Sequence, residues 1–214
     1  MSPPCPVCRH QTSLPFIKVE QLQYWRCPRC MATFLDPGQR PGAAREKAEY
    51  DRHQNLPCDP GYRHFLSRLA SPLLERLEPA SEGLDFGCGP GPTLSLMMTE
   101  AGHRMALYDP FYHPDATALS KRYDFITCTE VVEHLHAPAQ VFQQLHDCLR
   151  PGGWLGIMTR FQTDDGRFAS WHYRRDPTHV VFYRTETFAW LGEDWGWSMD
   201  IRPPDVVLAR KPLP

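Results

Sequence analysis

Three features that would point to particular protein classes are missing from this 214-residue sequence. No apolar run approaches the roughly 18 residues of a membrane-spanning helix, which argues against a helical membrane span. The formal net charge is only −2, which argues against a strongly basic nucleic-acid-binding domain. The initial residues, MSPPCPVC, contain no apolar stretch typical of a secretory signal, so we expect a cytoplasmic protein.

Cysteine and proline, in contrast, are plentiful, with 8 and 22 residues. In a reducing compartment, cysteines serve more often as metal ligands or buried thiols than in disulfides. Cys5 with Cys8 and Cys27 with Cys30 form two Cys-x-x-Cys pairs, separated by the 18 residues 9–26. This spacing is typical of zinc sites.

We therefore predict a zinc ribbon over residues 1–35. A segment of this size is too small to bury a hydrophobic core and usually needs a metal. Four thiolates complete a tetrahedron and leave no open position, so the zinc is expected to be structural. A redox-active pair, or cysteines without metal, is the alternative interpretation.

The next segment, residues 36–60, is rich in proline, glycine and charge, which predicts a linker with a short helix near residues 43–50. Apolar residues from Phe65 to Leu77 then recur at helical spacing and predict a helix that ends at Pro79. Charge is uneven, because the first 50 residues carry 7 basic and 4 acidic groups, and the remainder 16 and 21. The ribbon is therefore compatible with a small positive patch.

The stretch GLDFGCGPGPTLSLMMTEAGH predicts a strand, a tight glycine turn and a helix. The turn contains Gly87, Gly89 and Gly91, and the following strand ends at Asp109. Dinucleotide-binding loops follow the pattern Gly-x-Gly-x-x-Gly, which would require a glycine where this sequence has Pro92. The pattern therefore argues against a dehydrogenase.

The pattern Asp-x-Gly-x-Gly-x-Gly from Asp85 to Gly91, with Asp109 after it, resembles motif I of class I S-adenosylmethionine (SAM)-dependent methyltransferases. Later segments resemble the same family: YDFITCTEVVEHL its fourth strand, LHDCLRPGGWLGIMT its fifth strand, and SMDIRPPDVVLARK its closing antiparallel pair. The resemblance covers residues 60–212. It implies an α/β fold with a doubly wound, Rossmann-like sheet in a methyltransferase domain over residues 61–214.

The resemblance also implies SAM as the cofactor, with the Asp109 carboxylate accepting hydrogen bonds from both ribose hydroxyls. One departure from the family is that only about 14 residues separate Asp109 from the strand beginning near Tyr123, too few for the usual helix and third strand. We therefore expect a shortened third-strand region. The residues that the resemblance assigns to the cofactor site are Asp85, Gly87, Cys88, Gly89, Gly91, Asp109, Thr129 and Glu130.

The string TEVVEHL, residues 129–135, places Glu130, Glu133 and His134 on one face if it is helical. It resembles a string of plant small-RNA 2′-O-methyltransferases and ubiquinone-pathway O-methyltransferases, whose two glutamates and histidine hold Mg²⁺ together with a downstream histidine. His179 has a similar downstream context. The resemblance thus implies a second divalent cation at these four residues. Two alternatives stay open: His134 or His179 is a metal-free catalytic base, or the string is ordinary packing.

The segment FASWHYRRDPTHVVFY combines Trp171, His172 and Tyr173 with Arg174 and Arg175. Aromatic rings beside paired arginines are compatible with the wall of a substrate pocket for a planar or anionic group. They are equally compatible with an ordinary packing corner.

Together these features predict an enzyme that transfers the methyl group of SAM to an unidentified acceptor, with a small-molecule hydroxyl as the leading candidate. Much of the catalysis would then be alignment of the reactants. RNA or protein docked through the ribbon is an alternative acceptor, and a non-catalytic SAM-binding scaffold is a third interpretation. The intact glycine turn and Asp109 argue against the scaffold.

Overall fold

The structure is a computed structural model that describes residues 2–52 and 56–214. Within these residues the chain forms two sheets and five α-helices. The helices are α1 (Ala43–Tyr50), α2 (Pro60–Leu74), α3 (Thr93–Glu100), α4 (Pro138–Cys148) and α5 (Thr185–Trp195). The strands are β1 (Leu14–Val19), β2 (Leu22–Arg26), β3 (Thr33–Leu35), β4 (Glu82–Phe86), β5 (Arg104–Tyr108), β6 (Tyr123–Thr129), β7 (Leu149–Met158), β8 (Val181–Phe182), β9 (Ser198–Arg202) and β10 (Val206–Arg210).

The larger sheet has six strands in the order β5-β4-β6-β7-β10-β9. Strands β4 to β7 are parallel, and β10 and β9 continue the sheet as an antiparallel pair. Helices α2 and α3 pack on one face, and α4 and α5 pack on the other. Strand β6 is apolar on both sides because Phe125 and Ile126 enter opposite cores. The predicted Rossmann-like α/β sheet is confirmed.

The edge of this sheet at β5 shows the expected departure from the family. No strand lies beyond β5 within the described part of the chain. The connection from β5 to β6 contains only a short 3-10 turn, Ala116–Ser120. The third-strand region is therefore shortened, as the short sequence between Asp109 and Tyr123 predicted.

Helix α2 follows from local signals in the sequence. The Asp59 side chain accepts a hydrogen bond from the Gly61 amide at 2.8 Å, and Pro60 occupies the first turn. The apolar face of α2 packs closely against β7 at Gly156. A Cβ at this position would lie only 3.1 Å from Leu69 Cδ1, so the close packing depends on glycine. The helix ends at Leu74 and not at Pro79, so the predicted end was several residues too late.

The smaller sheet has the order β1-β2-β3-β8, so the ribbon strands take their fourth strand from far along the chain. Thr33 pairs with Phe182, and Phe34 pairs with Val181, in antiparallel register. One continuous buried cluster includes residues of the ribbon and of the larger sheet. The boundary at residue 35 stays a prediction, but the ribbon does not stand apart from the rest of the core.

The predicted linker contains the expected short helix, α1. None of the α1 residues is fully buried, and the helix is attached through polar contacts, including Glu46 Oε1 to His136 Nε2 at 2.8 Å. Residues 53–55 of the predicted linker lie outside the described residues. Among the helices in the described ranges, none combines the length and the apolar character needed to cross a membrane.

The string TEVVEHL does not form the helix on which the shared-face argument depended. Strand β6 ends at Thr129, Glu130 adopts a left-handed φ of 52°, and a 3-10 turn follows over Val132–His134. Glu130 is thereby turned away from the helical spacing that would align it with Glu133. The grouping of these side chains must therefore come from tertiary structure.

Candidate active site

A cavity of about 790 Å³ lies at the carboxyl ends of β4, β5 and β6. Ligand sites of doubly wound sheets occur at this edge, where successive strands diverge. The glycine turn after β4, the loop after β5 and the end of β6 form three sides. Tyr50 of α1 and the segment around Tyr173 complete the wall. All eight residues that the resemblance assigned to the cofactor site line this cavity, and their individual roles stay predictions.

The glycine turn brings bare backbone to the cavity. Gly87 has a φ of 74°, and its amide donates to the Tyr108 carbonyl oxygen at 2.7 Å. A Cβ at Gly87 would lie 2.4 Å from Val131 Cγ2, so this glycine is required by packing. Gly89 has a φ of 63°, and an added Cβ there would meet nothing within 4 Å. The space above Gly89 is thus open to a ligand.

Asp109 fixes the turn with its buried carboxylate. Its Oδ2 accepts a hydrogen bond from the Gly89 amide at 3.0 Å, and its Oδ1 accepts from the amides of Phe111 and Tyr112 at 2.8 and 3.1 Å. A carboxylate has about four lone-pair positions, so at least one remains for a ligand hydroxyl. Asp109 therefore links the turn after β4 to the loop after β5.

Asp85 of strand β4 and Cys88 of the glycine turn both have pKa values above their usual range. Burial raises the pKa of Asp85 to about 6, although Thr127 Oγ1 donates to its Oδ1 at 2.7 Å. Burial likewise raises the pKa of Cys88 to about 12, so this thiol stays protonated near neutral pH. Because only the thiolate is a strong nucleophile, Cys88 lines the cavity without acting as one.

Strand β6 ends at Thr129, and Thr129 and Glu130, the residue after it, also line the cavity. Thr129 Oγ1 is buried and has no hydrogen-bond partner among the described residues. Burial raises the pKa of Glu130 well above its usual range, and the nearby Glu133 carboxylate raises it further. Both groups would be stabilised by a ligand that donates a hydrogen bond or carries positive charge.

Glu133, His134 and His179 form a cluster in which one ligand atom of each lies within 4.8 Å of the others. The rings of the two histidines have centroids 4.6 Å apart. His134 comes from the 3-10 turn after β6, and His179 from the loop before β8, so the fold and not a helix face unites them. Glu130 is not part of this group of three, and its assignment as a fourth ligand stays a prediction.

Hydrogen bonds set the tautomers of both histidines. His134 Nδ1 lies 3.1 Å from the Thr178 carbonyl oxygen, and His179 Nδ1 lies 2.6 Å from that of Tyr173. A carbonyl only accepts, so each Nδ1 carries the proton and each Nε2 keeps a free lone pair. This is the usual arrangement of histidines that bind metal.

The charge state of the cluster also suits a cation. Burial lowers the pKa of His134 to about 4, against the opposing effect of Glu133, so its ring is neutral near pH 7. Glu133 is fully buried, and its Oε2 has no partner among the described residues. A buried carboxylate oxygen without a partner beside two imidazole lone pairs is a fitting donor set for a divalent cation. A pKa near 4 also makes His134 a weak general base.

Tyr173 holds the cluster together and was predicted only as part of an aromatic wall. Its hydroxyl donates to Glu133 Oε1 at 2.6 Å, and its backbone carbonyl accepts from His179. The hydroxyl also lies 3.4 Å from Glu130 Oε2. Tyr173 therefore orients two members of the cluster and contacts the fourth predicted ligand.

Asp176 is a residue of the site that sequence reasoning missed. Its Oδ2 lies 3.8 Å from His179 Nε2. Burial raises the pKa of Asp176, but hydrogen bonds from Thr178 and the nearby His179 outweigh it, and the net pKa lies below the usual range. Its position three residues before a candidate ligand histidine was the available signal.

The four ribbon cysteines form a second candidate metal centre. Cys5 Sγ lies 3.6 Å from Cys30 Sγ, and Cys8 Sγ lies 3.4 Å from Cys27 Sγ. These separations are far beyond a disulfide bond and close to the roughly 3.8 Å between sulfurs of a tetrahedral zinc site. All four side chains are buried, and the amide of Cys30 is directed at Cys27 Sγ at 3.5 Å.

The family model of the methyltransferase domain matches residues 60–200. The chain belongs to the methyltransferase family. The predicted methyltransferase family is thereby confirmed.

Two curated relatives are ubiquinone biosynthesis O-methyltransferases. The chain is 35% identical over 77 residues to the protein of Serratia proteamaculans (strain 568), a match that covers 36% of this methyltransferase and 32% of that protein. It is 45% identical over 38 residues to the protein of Leptothrix cholodnii, covering 18% and 16%. The chain thus matches about a third or less of the length of these relatives.

Solved structures show the same fold at low identity. The 1,6-didemethyltoxoflavin-N1-methyltransferase of Burkholderia thailandensis, with bound 1,6-didemethyltoxoflavin and S-adenosylhomocysteine, has a TM-score of 0.53 at 17% identity, covering 93% of this methyltransferase and 99% of that chain. A SAM-dependent methyltransferase from Archaeoglobus fulgidus has a TM-score of 0.53 at 17% identity, covering 79% and 100%. At this identity the likeness establishes the fold alone.

Proposed function

We propose that this chain transfers the methyl group of SAM to a hydroxyl oxygen of a small molecule. The observation that carries the proposal is a single cavity with two chemically different sides. One side is the bare glycine turn with Asp109, and the other is the cluster of Glu133, His134 and His179. The names of the matched relatives support a small-molecule oxygen as the acceptor.

The residues around the glycine turn fit SAM. SAM supplies an electrophilic methyl group on a sulfonium and also carries an ammonium, a carboxylate and a ribose diol. Gly89 leaves the space that a Cβ would fill, and Asp109 keeps acceptor capacity for the diol. Glu130, a buried carboxylate with a raised pKa, gains from nearby positive charge such as the ammonium or the sulfonium.

The cluster fits a divalent cation held by Glu133, His134 and His179, with Glu130 as a further predicted ligand. Such an ion, when bound, supplies Lewis acidity that lowers the pKa of a hydroxyl beside it. Carboxylate and imidazole donors together suit Mn²⁺, Fe²⁺ or Zn²⁺ in addition to Mg²⁺. Tyr173 then orients the donors through its hydroxyl and its backbone carbonyl. The main contribution of the chain is alignment of the two reactants in the cavity.

We further propose that the four cysteines hold a structural zinc ion. All four sulfurs lie within 4.8 Å of one another, the two measured pairs are 3.6 and 3.4 Å apart, and four buried thiols of this kind form a closed site. The first 50 residues have less free positive charge than the sequence indicated, because Arg26 of the ribbon pairs with Asp165 at 2.8 Å and Lys47 of α1 pairs with Asp51 at 2.9 Å. This pairing favours a structural role for the ribbon over docking of RNA.

Calorimetry with SAM tests the cofactor part of the proposal with two matched glycine variants. Gly89 and Gly102 have positive φ values of 63° and 93°, and an added Cβ at either would meet nothing within 4 Å, so alanine strains the backbone at both positions without a steric clash. Only Gly89 lines the cavity. We expect Gly89→Ala to weaken SAM binding about tenfold or more, equivalent to about 1.4 kcal/mol, and Gly102→Ala to leave it unchanged. Binding of NAD in place of SAM would contradict the proposal.

Transfer to oxygen is tested with methyl-labelled SAM and two acceptors that differ only in the attacking atom, 1,2-dihydroxybenzene and 1,2-diaminobenzene. Label in an O-methyl product of the first compound is the expected result. Label found only on the diamine would show that the acceptor atom is nitrogen and would overturn the hydroxyl assignment.

A further inference from the structure

A second cavity, of about 450 Å³, lies beside the first and shares Asp176 and His179 with it. One wall comes from the ribbon, through Val19, Leu22 and Tyr24 among others. The opposite wall comes from the segment that leads from Arg174 to His179. The ribbon therefore borders a space that adjoins the candidate active site.

Arg174 is a cationic residue of this second cavity without an acidic partner. Its Nε is buried and has no hydrogen-bond partner among the described residues. Its Nη1 lies 3.5 Å from the Tyr24 hydroxyl, and no carboxylate oxygen of the described residues lies within ion-pair distance. Burying such a group without a partner is unfavourable. By comparison, Arg26 and Arg184 nearby both pair with Asp165 at 2.8 Å.

The second cavity is lined by two arginines, Arg174 and Arg175, and by two acidic residues, Glu20 and Asp176. Arg175 is exposed and forms no ion pair within the described part of the chain. The Asp176 Oδ1 accepts from Thr178 N at 2.8 Å and its Oδ2 lies 3.8 Å from His179 Nε2, so neither oxygen pairs with an arginine. Glu20 is exposed at the turn between β1 and β2. Two arginines thus remain for a ligand, above an apolar wall.

We propose that this second cavity binds an anionic group, a carboxylate or a phosphate, on the methyl acceptor, with Arg174 and Arg175 as its partners. This inference rests on the proposed function, because it places the reacting hydroxyl in the first cavity beside His179. A guanidinium binds both oxygens of a carboxylate or phosphate in a planar pair, and the apolar ribbon wall suits the hydrocarbon part next to it. The carboxylate of SAM is a separate group, since neither arginine lines the cofactor cavity.

Calorimetry on the full chain tests the inference, with phenyl phosphate as the charged probe and phenol as its neutral counterpart. We expect phenyl phosphate to bind at least about tenfold more tightly than phenol, and Arg174→Met to remove that advantage. Methionine keeps the apolar stem of arginine without its charge. Arg29→Met is the matched control, since Arg29 stacks on Trp190 outside both cavities, and it should bind like wild type.

Binding of phenyl phosphate by Arg175→Met provides a second test, because an exposed side chain can be changed without loss of the fold. We expect it to weaken phenyl phosphate several-fold. Equal binding by wild type and by the Arg174→Met/Arg175→Met double variant would overturn the inference. Inorganic phosphate that binds as tightly as phenyl phosphate would show a free-anion site and would also overturn it.

SAM titrated into the same samples separates the two proposals. A chain that binds SAM but not phenyl phosphate contradicts the anion site and leaves the methyltransferase proposal intact. A chain that binds phenyl phosphate through Arg174 but does not bind SAM contradicts the proposed function.

Discussion

Asp85 illustrates how the position of one side chain couples stability to pH. Its carboxyl has a pKa of about 6 in the folded chain because burial disfavours the charged form, against 3.8 as the ordinary value. A raised carboxyl pKa means that the folded state holds its proton more tightly than the unfolded state. Its contribution to stability is therefore present below about pH 4 and is lost as pH rises through about 6.

Asp85→Asn should remove this pH dependence while keeping an acceptor oxygen for Thr127. We expect the variant to gain stability over wild type by about 3 kcal/mol between pH 4 and pH 7, from a shift of about two pKa units. Urea unfolding of both proteins across this range measures the difference in their free energies of unfolding. The contributions of the other titrating groups are the same in both proteins and cancel in this difference. A difference that stays constant with pH would show that Asp85 does not titrate in this window.

Glu130 has a strained backbone conformation that the sequence pattern did not predict. A non-glycine residue at a φ of 52° is strained by about 1 kcal/mol. The periodicity of TEVVEHL favours a helix, so the residues of the site could be named from the sequence while their arrangement could not. Glu133 and His134 meet His179 only because a loop distant in sequence folds over them, and no local pattern encodes that contact.

At the level of elements, the cation cluster joins the 3-10 turn Val132–His134 to the loop before β8. Deleting one donor from this junction should weaken a bound cation more than deleting a neighbouring imidazole outside it. We predict that His179→Ala weakens Mn²⁺ binding about tenfold or more. His172→Ala, which also removes a histidine that lines the cavity, should leave Mn²⁺ binding unchanged.

Electron paramagnetic resonance of Mn²⁺ makes this measurement on the intact chain, because a zinc ion bound by the ribbon would give no signal. Wild-type protein that takes up no Mn²⁺, with or without S-adenosylhomocysteine, would mean that the cluster is not a cation site. Equal uptake by wild type and His179→Ala would show that a site exists but that His179 is not a ligand.

The glycine turn, the helix after it and the closing antiparallel strands were all predictable from the sequence, because each depends on local signals. Gly87 and Gly89 sit at positive φ, and the short connection from Asp109 to Tyr123 left no room for a further strand. The pairing of Phe34 with Val181 was not predictable, because strand β8 has only two residues, too few to show the alternation of apolar and polar residues that is typical of a strand. The ribbon consequently looked like an appendage in sequence.

On the scale of the whole molecule, the shared sheet should make the ribbon and the methyltransferase domain unfold together. We predict that Cys27→Ser lowers the midpoint of a single thermal transition, and that no separate ribbon transition precedes it. The reason is that loss of the zinc site exposes buried residues of a core common to both parts. Calorimetry of Cys27→Ser beside Cys58→Ser, an exposed cysteine outside the ribbon, provides the measurement and the control.

Two resolved transitions in Cys27→Ser, the second at the wild-type midpoint, would contradict this coupling. They would instead support the boundary at residue 35 as a division between independent folding units. Metal analysis of the same preparations should find about one zinc ion per chain in Cys58→Ser and less in Cys27→Ser.

The pairing of strand β3 with strand β8 should make the fold of the active-site region depend on the concentration of free zinc. A metal ion that binds only the folded chain shifts the folding equilibrium according to its free concentration, by about 1.4 kcal/mol for each tenfold change above the dissociation constant. Because β8 begins two residues after His179, zinc binding at the cysteines would also stabilise the strand next to the candidate catalytic cluster. The proportion of active molecules would then depend on zinc supply, although none of the four ribbon cysteines lines either cavity.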